Sequence, residues 1–89
     1  MKKFQLDIAS PDGIVFSGDA YQLSVRGIAG ELAILAGHIP FVTALDDGEC
    51  RLYCDEDMSK IRKAHVTSGM LIVSKDKTRL LTSDFKWKE

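Results

Sequence analysis

The sequence predicts a small all-β sandwich or barrel, and two observations carry that prediction. Turn signals fall at Ser10-Pro11-Asp12-Gly13, Ser17-Gly18-Asp19, Gly27-Ile28-Ala29-Gly30, Gly37-His38-Ile39-Pro40, Asp46-Asp47-Gly48, Ser68-Gly69 and Lys75-Asp76-Lys77. Their typical separation, roughly 8 to 12 residues, is too short for helices and is the spacing of strands in small sandwiches and barrels. Between the turns, apolar residues recur at period two, so each segment has one face to bury.

The elements follow in order. Phe4, Leu6 and Ile8 alternate with Gln5 and Asp7, and Tyr21, Leu23 and Val25 alternate with Gln22, Ser24 and Arg26. Cys50 and Leu52 continue the pattern. From Glu49 to Ser68 there is no Gly or Pro, and Met58, Ile61, Ala64 and His65 also fit a helical stripe. The strand-favouring flanks Cys50–Cys54 and Ile61–Thr67 around the polar cluster Asp55–Lys60 favour a hairpin over that helix. Met70-Leu71-Ile72-Val73 is apolar at every position, which predicts a strand covered on both faces. Thr78–Thr82 should pair with it through the turn after Ser74.

The length of 89 residues allows one domain, 1–89, with a thin core and no room for a deep walled cavity. With 45% hydrophobic and 28% charged residues the chain has the composition of a folded domain, not a disordered one. Twelve basic against 13 acidic residues leave a net charge of -1, which argues against nucleic acid as a partner. No apolar run approaches the roughly 20 residues of a membrane span, and Met1-Lys2-Lys3-Phe4 leads straight into the alternating pattern. The two cysteines are too few for a disulfide framework and read as free thiols.

Chemistry-bearing groups are sparse. Cys50 and Cys54, four apart on a strand, lie roughly 13 Å apart on one face, beyond disulfide reach. With His65 they lack the paired spacing of a structural zinc site, so no metal is expected. His38 has no nucleophile marked by a motif. Asp55, Glu56 and Asp57 lack the glycine and terminal glutamate of a calcium loop and suit a solvated hairpin tip. Gly27, Gly30 and Gly37 precede no helix, so they suit turns needing positive φ, not a phosphate loop. No catalytic residue and no cofactor are expected.

The run Gly30-Glu31-Leu32-Ala33-Ile34-Leu35-Ala36-Gly37-His38-Ile39-Pro40 is the distinctive stretch. It resembles the Gly-Glu-Leu-x-Ile-Leu-Pro-Gly-His-x-Pro signature of the epsilon subunit of F-type ATP synthases, called delta in mitochondria. Phe4–Pro11, Val15-Phe16-Ser17-Gly18 and Ser68–Val73 resemble other strands of that family, so the resemblance covers roughly residues 4 to 84. It implies a flattened sandwich or barrel of about ten short strands, without an active site, at the foot of the central rotor stalk. The implied role is a non-catalytic rotor subunit that couples ion-driven c-ring rotation, by protons or sodium, to gamma-subunit rotation for ATP synthesis. The implied partners are the gamma subunit, the c ring and the wider complex. The implied location is peripheral, on the cytoplasmic face of the cell membrane or the stromal face of a thylakoid.

By matching position, the resemblance assigns c-ring contact to Glu31, flanked by Arg26, Gly27, Ile28, Ala29, Gly30 and Leu32. It assigns gamma contact to Ser10, His38 and Thr43, with Pro40, Phe41 and Val42 as apolar neighbours. Two departures stand out. Ala36 replaces the proline usual before Gly-His, relaxing one loop constraint. The family also adds a C-terminal pair of helices that restrains ATP hydrolysis and in some members binds ATP. This chain ends at Trp87-Lys88-Glu89, so neither helix-mediated inhibition nor a nucleotide site is expected of it. The alternative functional reading is a generic β-sandwich recognition module for peptide or carbohydrate, which would need an exposed aromatic platform. A small hydrolase or redox enzyme built on Cys50, Cys54, His38 or His65 is the least supported.

Overall fold

A computed structural model describes residues 2–37, 39–57 and 59–88. The described residues form eight strands: β1 (Phe4–Ser10), β2 (Gly13–Ala20), β3 (Gln22–Gly27), β4 (Gly30–Ile34), β5 (Phe41–Leu45), β6 (Gly48–Tyr53), β7 (Ile61–Val73) and β8 (Thr78–Trp87). The stretch that also fitted a helix is the β6–β7 hairpin, registered from Gly48 opposite Val66 to Tyr53 opposite Ile61.

Two long strands explain how eight do the work of about ten. The first part of β7 pairs with β6, and its second part, Gly69–Val73, pairs with β5. Strand β8 follows β7 along its whole course, and its Thr78–Leu81 segment also pairs in parallel with β1. One layer is therefore β2, β1, the first half of β8, the second half of β7, and β5. The other is β4, β3, β6, the first half of β7, and the second half of β8. Each long strand contributes to both layers, and the single bridge between Gly27 and Leu45 joins β3 to β5, closing the sheet on itself.

The core lies between the layers. Leu6 and Ile8, Leu23 and Val25, and Cys50 and Leu52 are buried, as their period-two spacing predicts, while Tyr21 is half-buried. Leu71, Val73 and Leu80 close the core from the β7–β8 side. Each of these side chains removes enough apolar surface from water to contribute about 1.5–3 kcal/mol.

The crossing point carries the local strain. Ser68, a non-glycine residue, has φ of 29°, and a Cβ on Gly69 would run into the carbonyl oxygen of Leu81. Ser68-Gly69 is thus a bend inside a strand instead of a turn between strands. Side chains from three segments hydrogen-bond to it and around it. The buried Thr82 hydroxyl lies 2.7 Å from the Thr67 carbonyl and 2.8 Å from that of Ser68, and accepts from the Asp84 N–H at 3.3 Å. The Ser83 hydroxyl donates to the Thr67 carbonyl at 2.7 Å, and the Ser68 N–H donates to the Asp47 carboxylate at 2.8 Å.

Two other expectations are corrected. Ser17-Gly18-Asp19 is not a turn: β2 runs through it, and the chain bends instead at Tyr21, whose N–H donates to Tyr53 O at 2.9 Å, and passes into the other layer as β3. Met70–Val73 is covered on one face only, since Leu71 and Val73 are buried whereas Met70 is 44% exposed and Ile72 is half-buried.

Gly69→Ala should destabilise the domain by about 2–3 kcal/mol, since a methyl must displace backbone of the neighbouring strand. For a chain of this size that lowers Tm by roughly 10–20 °C in a thermal melt. An unchanged Tm would show that the crossing point can relax.

Candidate functional site

The exposed apolar residues are not scattered. On the outer face of the first layer, Ala44 of β5 lies opposite Met70, Met70 opposite Leu81, Leu81 beside Ala9, and Ala9 opposite Ile14. In the adjacent row Val42 lies opposite Ile72. Ile14 is 70% and Val42 61% exposed, so an apolar strip crosses five strands and reaches the outer strand β2. At its margin the Asp7 carboxylate accepts from the Ser17 hydroxyl at 2.8 Å and pairs with Lys77 at 3.0 Å. The Ser17 hydroxyl first, and then Lys77, hold that carboxyl below its usual range.

The outer face of the second layer is different. Ser24 stands opposite Arg51, Arg51 opposite Lys63, and Glu49 opposite His65, which lies opposite Lys86. Glu49 pairs with Arg51 at 2.8 Å and with Lys88 at 3.4 Å. These ions are largely solvated and add little stability.

The β3–β4 hairpin forms the second candidate surface. Gly27 and Gly30 face each other with Ile28 and Ala29 between them, and Arg26 stands opposite Glu31. Gly30 has φ of 130°, which a side chain would disfavour. Gly27 meets a different demand: a Cβ there would lie 3.1 Å from Gly30 O and from Leu32 Cδ1. Of the three glycines expected at positive φ, Gly30 and Gly37 have it, while Gly27 is needed for space. The tip is stitched to β5, because the Ile28 N–H donates to Ala44 O at 3.2 Å and the Asp46 N–H donates to Arg26 O at 3.0 Å.

The residues assigned by resemblance divide accordingly. Arg26, Ile28, Ala29, Gly30 and Glu31 are exposed on the hairpin. Gly27 is buried and Leu32 packs on the core, so these two support the tip from behind. Val42 lies in the apolar strip, Pro40 is exposed beside its strand, and Ser10 follows Ala9 at the strip's other side. Phe41 and Thr43 point inward on β5, with Phe41 packed against the core and Thr43 opposite buried Leu71. His38 lies outside the described residues. The strip's main members, Ile14, Met70, Ile72 and Leu81, have no site assignment from the sequence. The signal for three of them was present: Met70–Val73 and Leu80-Leu81 break the period-two alternation by being apolar on both faces.

Other chemistry does not converge. Cys50 is buried on the inner face and His65 is exposed on the outer one. Burial pushes the Cys50 thiol up to about 12, and burial also raises that of Cys54. The carboxylates of Asp55 and Asp57 turn toward Ser59 within their own loop. Phe4, Phe16, Phe41, Phe85 and Trp87 pack against the core, and Trp87 is further covered by the Arg62 guanidinium at 3.8 Å, so these rings form no open platform for sugar or peptide.

Residues 3–88 match the beta-sandwich domain of the ATP synthase delta/epsilon chain. The chain belongs to this ATP synthase delta/epsilon family. Among its relatives, the ATP synthase epsilon chain of Caldicellulosiruptor saccharolyticus is 34% identical over 89 residues, all of this chain and 63% of the relative. That of Chromohalobacter salexigens is 38% identical over 81 residues, 91% of this chain and 56% of the relative. The chain thus spans less than two-thirds of the length of these epsilon chains. Two solved structures share the delta/epsilon fold. A chain in the OSCP/F1/c-ring structure of Euglena gracilis mitochondrial ATP synthase superposes with a TM-score of 0.85 at 18% identity, covering 96% of this chain and 53% of that one. A chain in the central stalk and c-ring structure of the Tetrahymena thermophila enzyme gives 0.79 at 16% identity, covering 94% and 66%.

Two measurements check this surface chemistry. Because the folded pKa of Asp7 is depressed, its contribution to stability is complete above the unfolded value of about 3.9 and is lost as pH falls through the folded value. The stability gap between the wild type and Asp7→Asn should therefore be widest above about pH 4 and close below it; a constant gap down to pH 2 contradicts the assignment. In thiol titration at pH 8, native Cys50 should stay unmodified while Cys54 reacts slowly, and both should react at once in denaturant.

Proposed function

We propose that this chain is a non-catalytic rotor-stalk subunit of an F-type ATP synthase. In this reading it locks the gamma subunit to the membrane c ring, so that ion-driven ring rotation becomes rotation of gamma and drives ATP synthesis. The observation that carries the reading is the apolar strip on the outer face of β5, β7, β8, β1 and β2. Monomeric proteins seldom expose contiguous apolar patches of this kind without a partner. Membership of the delta/epsilon family supports gamma as that partner. Ser10, Pro40 and Val42 would meet gamma around the strip, with His38 assigned by resemblance, and Phe41 and Thr43 would hold β5 from within.

The hairpin Arg26–Leu32 would meet the polar loops of the c ring. A rim ion pair there contributes only about 0–1 kcal/mol, so most of the holding energy belongs to the apolar face against gamma. The subunit would sit at the membrane surface without spanning it, on the cytoplasmic face in a bacterium or the stromal face in a plastid. The coupling ion would be a proton or sodium.

The reading is tested by gamma binding. Met70→Glu should leave Tm nearly unchanged, because Met70 is on the outer face, yet weaken binding to purified gamma subunit by at least a hundredfold in a titration. Retention of wild-type affinity would remove the strip from the gamma interface, and the absence of any gamma binding by the wild type would end the rotor reading.

A further inference from the structure

The β3–β4 hairpin carries its exposed apolar group at its extreme tip. Ile28 is 69% exposed, and Arg26 and Glu31 stand opposite each other two rungs below it, beyond the Gly27–Gly30 pair. This is an apolar centre with a polar rim, the anatomy of a small binding epitope. Turn positions in two-residue hairpins favour Gly, Asn and Asp, so an isoleucine there is not explained by turn chemistry. Nor is the tip loose: the Ile28 N–H is bonded to Ala44 O, Arg26 O accepts from Asp46 N–H, and the crowded Gly27 beneath is bridged to Leu45. A side chain presented on such a braced backbone loses little further freedom on binding.

Resting on the rotor reading of this hairpin, we propose that Ile28, and not Glu31, supplies the hairpin's affinity for the c ring. The ring's polar loops must then offer an apolar recess for Ile28, with a cationic group beside it for Glu31. Burial of an isoleucine side chain corresponds to about ten- to a hundredfold in affinity. A solvent-exposed carboxylate pair corresponds to about one- to fivefold and is screened by salt. Glu31 therefore orients the hairpin and Ile28 holds it.

The test is equilibrium binding of the full chain to a purified c ring in detergent micelles, at low and at physiological salt, with empty micelles as the reference. Ile28→Ala should weaken ring binding at least tenfold at both salt concentrations, and Ile28→Leu should restore most of the loss. Glu31→Gln should weaken binding by less than fivefold, and only at low salt. Binding to gamma and the Tm should be the same for all three variants. A tenfold loss from Glu31→Gln with no loss from Ile28→Ala overturns the inference while leaving the rotor reading intact. Equal binding to empty micelles also overturns it, because Ile28 would then be seeking detergent or lipid. Gamma binding without ring binding by the wild type removes the hairpin's assignment, and the inference with it.

Discussion

The fold depends on one crossing point, where β7 and β8 pass together from one layer to the other. Two antiparallel strands bend at once only if their backbones approach closely and their interrupted carbonyls and amides find other partners. Gly69 supplies the approach, and the Thr82 and Ser83 hydroxyls and the Asp47 carboxylate supply the partners. An unsatisfied buried polar group costs about 1–3 kcal/mol, a penalty that the part-buried Thr82 hydroxyl avoids, while the Ser83 and Asp47 contacts lie on the exposed side of the bend. Because both long strands turn here, neighbours on either side of the crossing fall into different layers: β6 is paired with the first half of β7 and β5 with the second.

That division gives the molecule two unlike outer faces. The strip of the first layer is apolar because Met70, Ile72 and Leu81 alternate with core residues that are also apolar, so these segments have no polar side. The second layer alternates in the usual manner and turns charges outward. Strand β5 belongs to the first face yet also receives the hairpin tip through the Gly27–Leu45 bridge and its two flanking hydrogen bonds. The two candidate docking surfaces are thus joined through a shared strand.

Much of this was legible in the sequence, for reasons that also explain what was not. Period-two alternation located the inward residues of β1, β3 and β6, because a half-buried strand must alternate. The hairpin at Asp55–Lys60 was legible from strand-favouring flanks that outweighed a helical stripe. Ser68-Gly69 was misread as a turn, since a glycine that permits two strands to touch looks in sequence like one that reverses the chain. Ser17-Gly18-Asp19 was misread for the complementary reason, its polar residues merely facing outward along an unbroken strand. Met70–Val73 was read as covered on both faces because an apolar outer face looks the same whether its own chain or another protein covers it. The hairpin residues Arg26–Leu32 were found only through a family resemblance, and their inward–outward division required the register that places Gly27 against Gly30.

The parallel pairing of β1 with β8 has a consequence for how the chain comes to fold. The first strand finds only β2 nearby in sequence, and its other neighbour is β8, some 70 residues further on. The central sheet therefore lacks one flank until Thr78–Leu81 has been made, and loop-closure entropy must be met before that pairing returns anything. Such a topology folds in milliseconds to seconds rather than microseconds, and cooperatively. On the ribosome the nascent chain would wait, its apolar strip still unassembled, until β8 emerged to complete it.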